Sequence, residues 1–307
     1  MGKAFDLLTI KDSFMFYAAM MDPEQCRKLL ELVLGMEVEE VTVRREEVLI
    51  WHPKYHGVRL DVLAKEKGKQ RRFNVEMQVE SEQGLEKRTR YYHSQLDSDA
   101  LLTGKSYEEL PDTYVIFICD FDPFGGRLYR YSFEMACMED GTLLKDGAHT
   151  IFLSTKGKNK ESVPKELVNF LEYVANPADG EKSQDAFVRS LDAQVAGIKL
   201  DREWRSEYML LELMLEKERK YGHAEGLAEG LAAGITAGET KHLITQCVRK
   251  LRKGRSEEQI ADELETDISL VISIVAVAGE FAPEYNTDQI YDRLIETSGN
   301  FSAVRTN

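Results

Sequence analysis

The sequence has no long apolar run. A membrane helix needs about 20 consecutive apolar residues, and no stretch of the chain approaches that, so no membrane span is expected. The first residues, MGKAFDLLTIKDSF, carry acids early and no apolar core, so no signal peptide is expected either. Met1-Gly2 opens a myristoylation motif that Phe5-Asp6 does not complete. Cysteine is scarce: Cys26, Cys119, Cys137 and Cys247 are scattered, without metal-ligand spacing. Cys119 lies in the apolar run TYVIFIC, where a buried free thiol is expected. These features suit a reducing cytoplasm. Positive charge is also in deficit: 40 Lys and Arg against 54 Asp and Glu give a net charge of −14. Broad nucleic-acid binding through the global field is therefore disfavoured, while a local basic groove is not. With 43% hydrophobic and 31% charged residues, the 307-residue chain reads as globular protein of one large or two smaller domains.

What is present centres on Gly57–Glu80, GVRLDVLAKEKGKQRRFNVEMQVE. Two apolar-rich runs, Val58–Ala64 and Phe73–Val79, flank a charged, Gly68-bearing stretch, which is a hairpin signal. Side chains alternate along a strand. Asn74, Glu76, Gln78 and Glu80 then share one face, and Phe73, Val75, Met77 and Val79 the other. With the turn at Gly68–Lys69, facing residue numbers sum to 137, which sets Asp61 across from Glu76. Opposed Cα atoms in an antiparallel pair lie roughly 4.5–5.5 Å apart. Two carboxylates that close repel unless a proton or cation lies between them, and Mg²⁺ with its oxygen preference is the obvious neutraliser. The same pair also reads as ordinary solvent-face acids of an amphipathic hairpin.

Three segments carry a resemblance: VRLDVLAK, FNVEMQVE and KRTRYYHSQLDSDALLTGKSYEELPDTYVIFICDFDPFG, followed later by EWRSEYM. From about Asp12 to about Gly222 the chain resembles the PD-(D/E)XK nuclease family transposases, also called recombination-promoting nucleases (Rpn). The resemblance implies a restriction-endonuclease-like core and a DNA endonuclease, with a role in DNA mobility or recombination. It further implies Asp61 and Glu76 as acids holding Mg²⁺ or Mn²⁺, with the Met77 carbonyl as a further ligand. Gln78 stands where most of the superfamily has lysine. Glutamine carries no charge and is left to orient water or phosphate by hydrogen bonds. Related enzymes bring an acid from an early helix to the metal; Asp12 fits that role, and fits equally a plain helix N-cap.

Basic residues cluster at Lys65, Lys67, Lys69, Arg71 and Arg72, and again at Lys87, Arg88 and Arg90, next to the acidic pair. A solvated face accounts for such clusters; adjacency to the acids favours phosphate binding. Gly84–Leu102 reads as a helix in which Arg88, Tyr91, Tyr92, Gln95 and Asp99 form a polar–aromatic stripe. Such a stripe stacks on nucleotides or packs on the sheet. With the resemblance, Lys65, Arg71, Arg72, Arg88, Tyr92 and Gln95 become the expected DNA-binding set.

Elsewhere, helices are expected from Asp12-Ser13 and over Pro23–Gly35, and strands over Val38–Val43 and Glu47–Trp51. His52 and His56 read as loop residues. Thr113–Cys119 reads as a strand buried on both faces, with strands over Leu128–Met135 and His149–Ser154 and helices from Pro164 onward. This order predicts an α/β fold: a mixed sheet flanked by helices, with a helical C-terminal extension. Glycine recurs every fourth residue at Gly222, Gly226, Gly230, Gly234 and Gly238. On a helix these line one face, favouring close packing against a second copy; as loose chain they form a linker. A basic helix over Thr240–Lys253 follows, with its cluster Arg249, Lys250, Arg252, Lys253 and Arg255, then a helix capped by Ser256 and Gln259 and another from Asp267. Ile268, Ser269 and Leu270 offer little to read bases, so this helix-turn-helix-like tail is expected to pack or oligomerise. The expected division is a nuclease-like domain over 1–220, the repeat over 221–240, a helical region over 241–298 and a disordered tail over 299–307. DNA is the expected partner, with a homodimer through the repeat and C-terminal helices. The alternative is a catalytically weak or inactive DNA-binding or assembly protein on a nuclease fold.

Overall fold

Alternating apolar residues on the Gly68 hairpin and a largely apolar run at 113–119 build one sheet. The computed structural model describes residues 3–44, 62–101 and 106–298. Asp61, His52, His56, the expected strand at 47–51 and the first half of the run at 58–64 lie outside the described residues. Strands β1 (Val41–Arg44), β2 (Val62–Glu66), β3 (Arg71–Gln78), β4 (Asp112–Cys119), β5 (Arg130–Phe133) and β6 (Ala148–Ser154) form a mixed six-stranded sheet in the order β1-β2-β3-β4-β6-β5. β3, β4 and β6 are parallel; the remaining pairs are antiparallel. Gly68 takes φ +86°, a left-handed conformation that glycine adopts without steric cost. The hairpin register follows the expected sum: Val62 faces Val75, Leu63 faces Asn74, Ala64 faces Phe73 and Lys65 faces Arg72.

One sheet face is covered by α1 (Ser13–Met20), α2 (Pro23–Leu34), α4 (Lys165–Ala175) and α5 (Ala186–Leu200). Phe73, Val75, Met77, Ile116 and Ile118 project into this core. Every residue of α1 from Phe14 to Met20 is buried, so α1 is a fully enclosed helix rather than an amphipathic one. α2 is amphipathic; the Asp22 side chain accepts from Glu24 N and Gln25 N at its start, and Gly35 ends it at φ +67°. The other face is covered by α3 (Leu85–Ala100), which packs Leu85, Tyr92 and Leu96 on Val115, Phe117, Cys119 and Phe152. Phe117 stacks between Tyr92 (centroids 6.0 Å apart) and Phe152 (5.0 Å). Burial pushes the Cys119 thiol up to about 12, as suits an inert core thiol.

The chain divides into two compact units, Met1–Glu216 and Lys217–Asn307, with the boundary inside α6 (Arg202–Leu251). The glycine repeat is helical and lies within α6. In the second unit, α7 (Glu257–Leu264), α8 (Ile268–Glu280) and α9 (Thr287–Ser298) share a core with Ile244, Cys247 and Val248 of α6. Ser256 and Gln259 form the expected capping box on α7. The basic cluster here is largely engaged: Lys250 and Arg255 pair with Glu263, and Arg252 donates to Pro283 O and Glu284 O. Among the described residues no helix is long and apolar enough to cross a membrane.

Candidate active site

Ligand sites in open α/β sheets lie beyond the carboxyl ends of the parallel strands. Glu76 and Gln78 occupy that end of β3, on the face covered by α3. Strand alternation puts them there with Asn74, and all three are buried, at 9% exposure or less. The solvent-face reading of Glu76 therefore does not hold. Burying a carboxylate is costly unless it is paired, and Arg88 is a charged partner of Glu76 among the described residues. Arg88 Nη2 donates to Glu76 Oε1 in a short contact and to Tyr92 Oη at 3.1 Å, and Nη1 donates to Glu82 Oε2 at 2.9 Å. Tyr92 Oη also donates to Glu76 Oε1 at 3.4 Å. The guanidinium carbon lies 5.7 Å from the Tyr92 ring centroid and 5.6 Å from that of Phe117, a cation–π arrangement. Burial alone would lower the Arg88 pKa; the attraction of Glu76 and Tyr92 outweighs it and the pKa is raised. Gln78 Nε2 reaches Glu80 O at 3.5 Å, leaving its carboxamide loosely held.

The other expected residues are dispersed by the same geometry. Arg71 has the parity of Phe73, so it projects to the face opposite Glu76. There it forms a bidentate pair with Glu66 and also donates to Glu37 O. It is buried and not available to DNA. Arg72 lies on the Glu76 face but is spent on Asp99 at 2.7 Å and Leu96 O at 3.2 Å. Lys65 is its register partner on the same face. The α3 stripe also divides: Arg88, Tyr92 and Asp99 lie toward the sheet, whereas Tyr91 is exposed and receives a bond from Gln95 Nε2 at 3.1 Å on the outer side. Asp12 sits at the N-cap position of α1 without capping it. Its carboxylate instead accepts from Thr9 N (2.7 Å), Thr9 Oγ1 (3.1 Å) and Lys3 Nζ (2.8 Å). Glu82, the second carboxylate on Arg88, went unread because it lies in a loop outside any strand or helix period.

Hard divalent cations take carboxylate and carbonyl oxygens. Gln78 O accepts from Asp120 N on the β4 side. Backbone carbonyls alternate sides along a strand, so the Met77 carbonyl points away from β4, toward the β2 side. Glu76, Gln78 and the Met77 carbonyl are thus an oxygen donor set that fits a hard dication rather than a thiophilic one. Among the described residues, no group of three or more His, Cys, Asp or Glu gathers closely enough to hold a metal by itself.

A family model described as PD-(D/E)XK nuclease family transposase matches residues 24–212. No curated protein and no solved structure matches the chain.

Proposed function

The chain belongs to the PD-(D/E)XK nuclease family transposases, and from that membership we propose that it is a metal-dependent DNA endonuclease acting at the carboxyl end of β3. The observation that supports this reading is the buried Glu76, which lies with Gln78 at the end of a parallel strand. The hairpin sum of 137 read from the sequence is what sets Asp61 across from Glu76. In this reading Asp61, Glu76 and the Met77 carbonyl hold Mg²⁺ or Mn²⁺, with Asp12 left to its turn. A dication there supplies Lewis-acid polarisation of a phosphate and a more acidic water. Gln78 orients the attacking water through its carboxamide, and Lys65 and Arg88, on the face of the sheet covered by α3, meet the DNA backbone. The cytoplasm is the proposed location.

The test is plasmid cutting by purified protein with Mg²⁺ or Mn²⁺ and its loss with EDTA. Asp61→Ala and Glu76→Ala should each abolish cutting while leaving the thermal unfolding transition in place. Cutting that survives EDTA, or both substitutions, would sink the assignment. Gln78→Ala should slow cutting by about 10²-fold, the scale for one positioned polar group; Gln78→Lys should retain or raise it. A second reading, a weak or inactive DNA-binding protein on a nuclease fold, is favoured by Gln78 in place of lysine and by the Arg88 pair on Glu76.

We also propose that the repeat and the C-terminal helices join two copies of the chain. A Cβ at Gly222, Gly226, Gly230, Gly234 or Gly238 would meet nothing within 4 Å, and Leu227, Leu231 and Ile235 are exposed beside them. Each glycine costs a helix roughly 1 kcal/mol relative to alanine, a cost that packing offsets. Light scattering at tens of micromolar should give a dimer, lost when Gly226, Gly230 and Gly234 are replaced by leucine. A monomeric wild type, or an unchanged dimer in the triple variant, refutes this interface.

A further inference from the structure

Gln78 leaves the site without the positive charge that a lysine at that position would bring. The guanidinium laid against Glu76 arrives from another element. Arg88 sits in the first turn of α3, on the helix face turned to the sheet, with its side chain only 18% exposed. A guanidinium has five N–H groups in a rigid fork. In Arg88 three contacts, to Glu76, Tyr92 and Glu82, leave two of these donors over among the described residues. One of those two is Nε, which is buried and has no hydrogen-bond partner among the described residues. A buried donor of this kind carries the full cost of its lost hydration. The head group is held in place on the faces of Tyr92 and Phe117. The arrangement is a cation presented at a buried carboxylate, and if Nη2 releases Glu76, Nε and Nη2 together form the side-on fork that grips phosphate with two parallel bonds.

We propose that Arg88 supplies the charge absent at Gln78: it neutralises Glu76 in the resting protein and transfers part of its hydrogen bonding to a nucleic-acid phosphate when substrate and metal arrive. This rests on the nuclease reading for its substrate. Two physical consequences follow, and they have opposite signs. A dication on Glu76 shares that carboxylate with a guanidinium, and like charges this close repel. Arg88 therefore weakens metal binding while DNA is absent. Once a phosphate is present the same guanidinium bonds to it, so Arg88 strengthens DNA binding. A merely structural ion pair gives no such opposition, because its loss loosens the site for every ligand.

The experiment compares the full-length wild type with Arg88→Gln and Arg88→Lys in three measurements. These are MnCl₂ binding by calorimetry without DNA, binding of a fluorescent 20-base-pair duplex in CaCl₂, and plasmid cutting with Mn²⁺. Arg88→Gln should bind Mn²⁺ severalfold more tightly and the duplex about tenfold more weakly, the lower end for a charge-assisted bond. Its cutting should be about 10²-fold slower. Arg88→Lys, which keeps the charge, should recover most of the duplex affinity and part of the rate. The proposal is overturned if Arg88→Gln shifts Mn²⁺ and duplex affinity in the same direction or in neither, or if Arg88→Lys is as impaired as Arg88→Gln. A wild type that binds Mn²⁺ but does not cut removes the nuclease reading alone, and the opposed shifts then still decide the role of Arg88. A wild type that takes up no Mn²⁺ overturns both.

Discussion

The two faces of the sheet are built from the same strands and are chemically unlike. The face under α1, α2, α4 and α5 is apolar from Phe73 through Ile118 and admits charge at its margin in ion pairs, the sealed Glu66–Arg71 pair and Asp120 with Lys11. The face under α3 carries Asn74, Glu76, Gln78, Thr113 and Ser154, all buried and polar. Arg88 and His93 reach down to it from the helix. A buried polar group is tolerable when it is bonded, and a face covered by one polar–aromatic helix supplies such partners where four apolar helices do not. The buried polar side chains therefore collect on the face covered by one helix, and the opposite face is the apolar core.

The largest effect expected from this contrast comes at the sealed pair. Glu66 has no exposed side-chain surface, so Arg71→Ala strands a buried carboxylate. The expected loss is about 3–5 kcal/mol of stability, read from urea unfolding. DNA affinity per folded molecule should be unchanged, since Arg71 projects to the face opposite Glu76. A mild stability effect joined to weak DNA binding would return Arg71 to the DNA surface and break the contrast.

A second test concerns His93 on the polar face. Its ring nitrogens bond the hydroxyls of Thr113 (2.7 Å) and Thr150 (3.0 Å), tying α3 to β4 and β6. Burial holds its pKa down to about 4; nearby Asp146 opposes this and His149 adds to it. An unfolded histidine titrates near 6.5. The unfolded chain thus takes up a proton that the folded chain refuses, so this contribution is complete above about pH 6.5 and is lost progressively as pH falls through about 4. Urea midpoints measured between those values should fall more steeply for the wild type than for His93→Gln. Parallel slopes would mean that His93 is already charged in the folded protein.

The smallest effect is expected at Tyr92→Phe, which keeps the stacked ring and removes only the hydroxyl bonded to Arg88 and Glu76. About 1 kcal/mol of stability should be lost. In the proposed nuclease, cutting should slow by about tenfold, because a less constrained Arg88 positions phosphate less well. An unchanged rate would restrict the polar face at Tyr92 to packing.

Much of this was legible in the chain before any fold was known. The hairpin register, the enclosed strand β4, the capping box at Ser256 and the family resemblance are local patterns, written within a few residues of one another. Period-2 alternation also separates Arg71 from Arg72, although charge clustering alone groups them. The α3 stripe was only partly readable. Helical periodicity says which residues are neighbours, but which arc meets the sheet depends on the aliphatic anchors Leu85 and Leu96 finding Phe117 and Val115.

The sequence by itself determined the described strands and helices around the Gly68 hairpin, their order and the pairing of β2 with β3, because these follow from side-chain period and turn chemistry over short stretches. Only the tertiary structure decided that Glu76 is buried, that Arg88 is the cation laid against it, and that Arg71 is consumed by Glu66. Those outcomes depend on how α3 and the segment after α2 dock onto the sheet, and docking sums many weak contacts between residues distant in the chain, which no local pattern encodes.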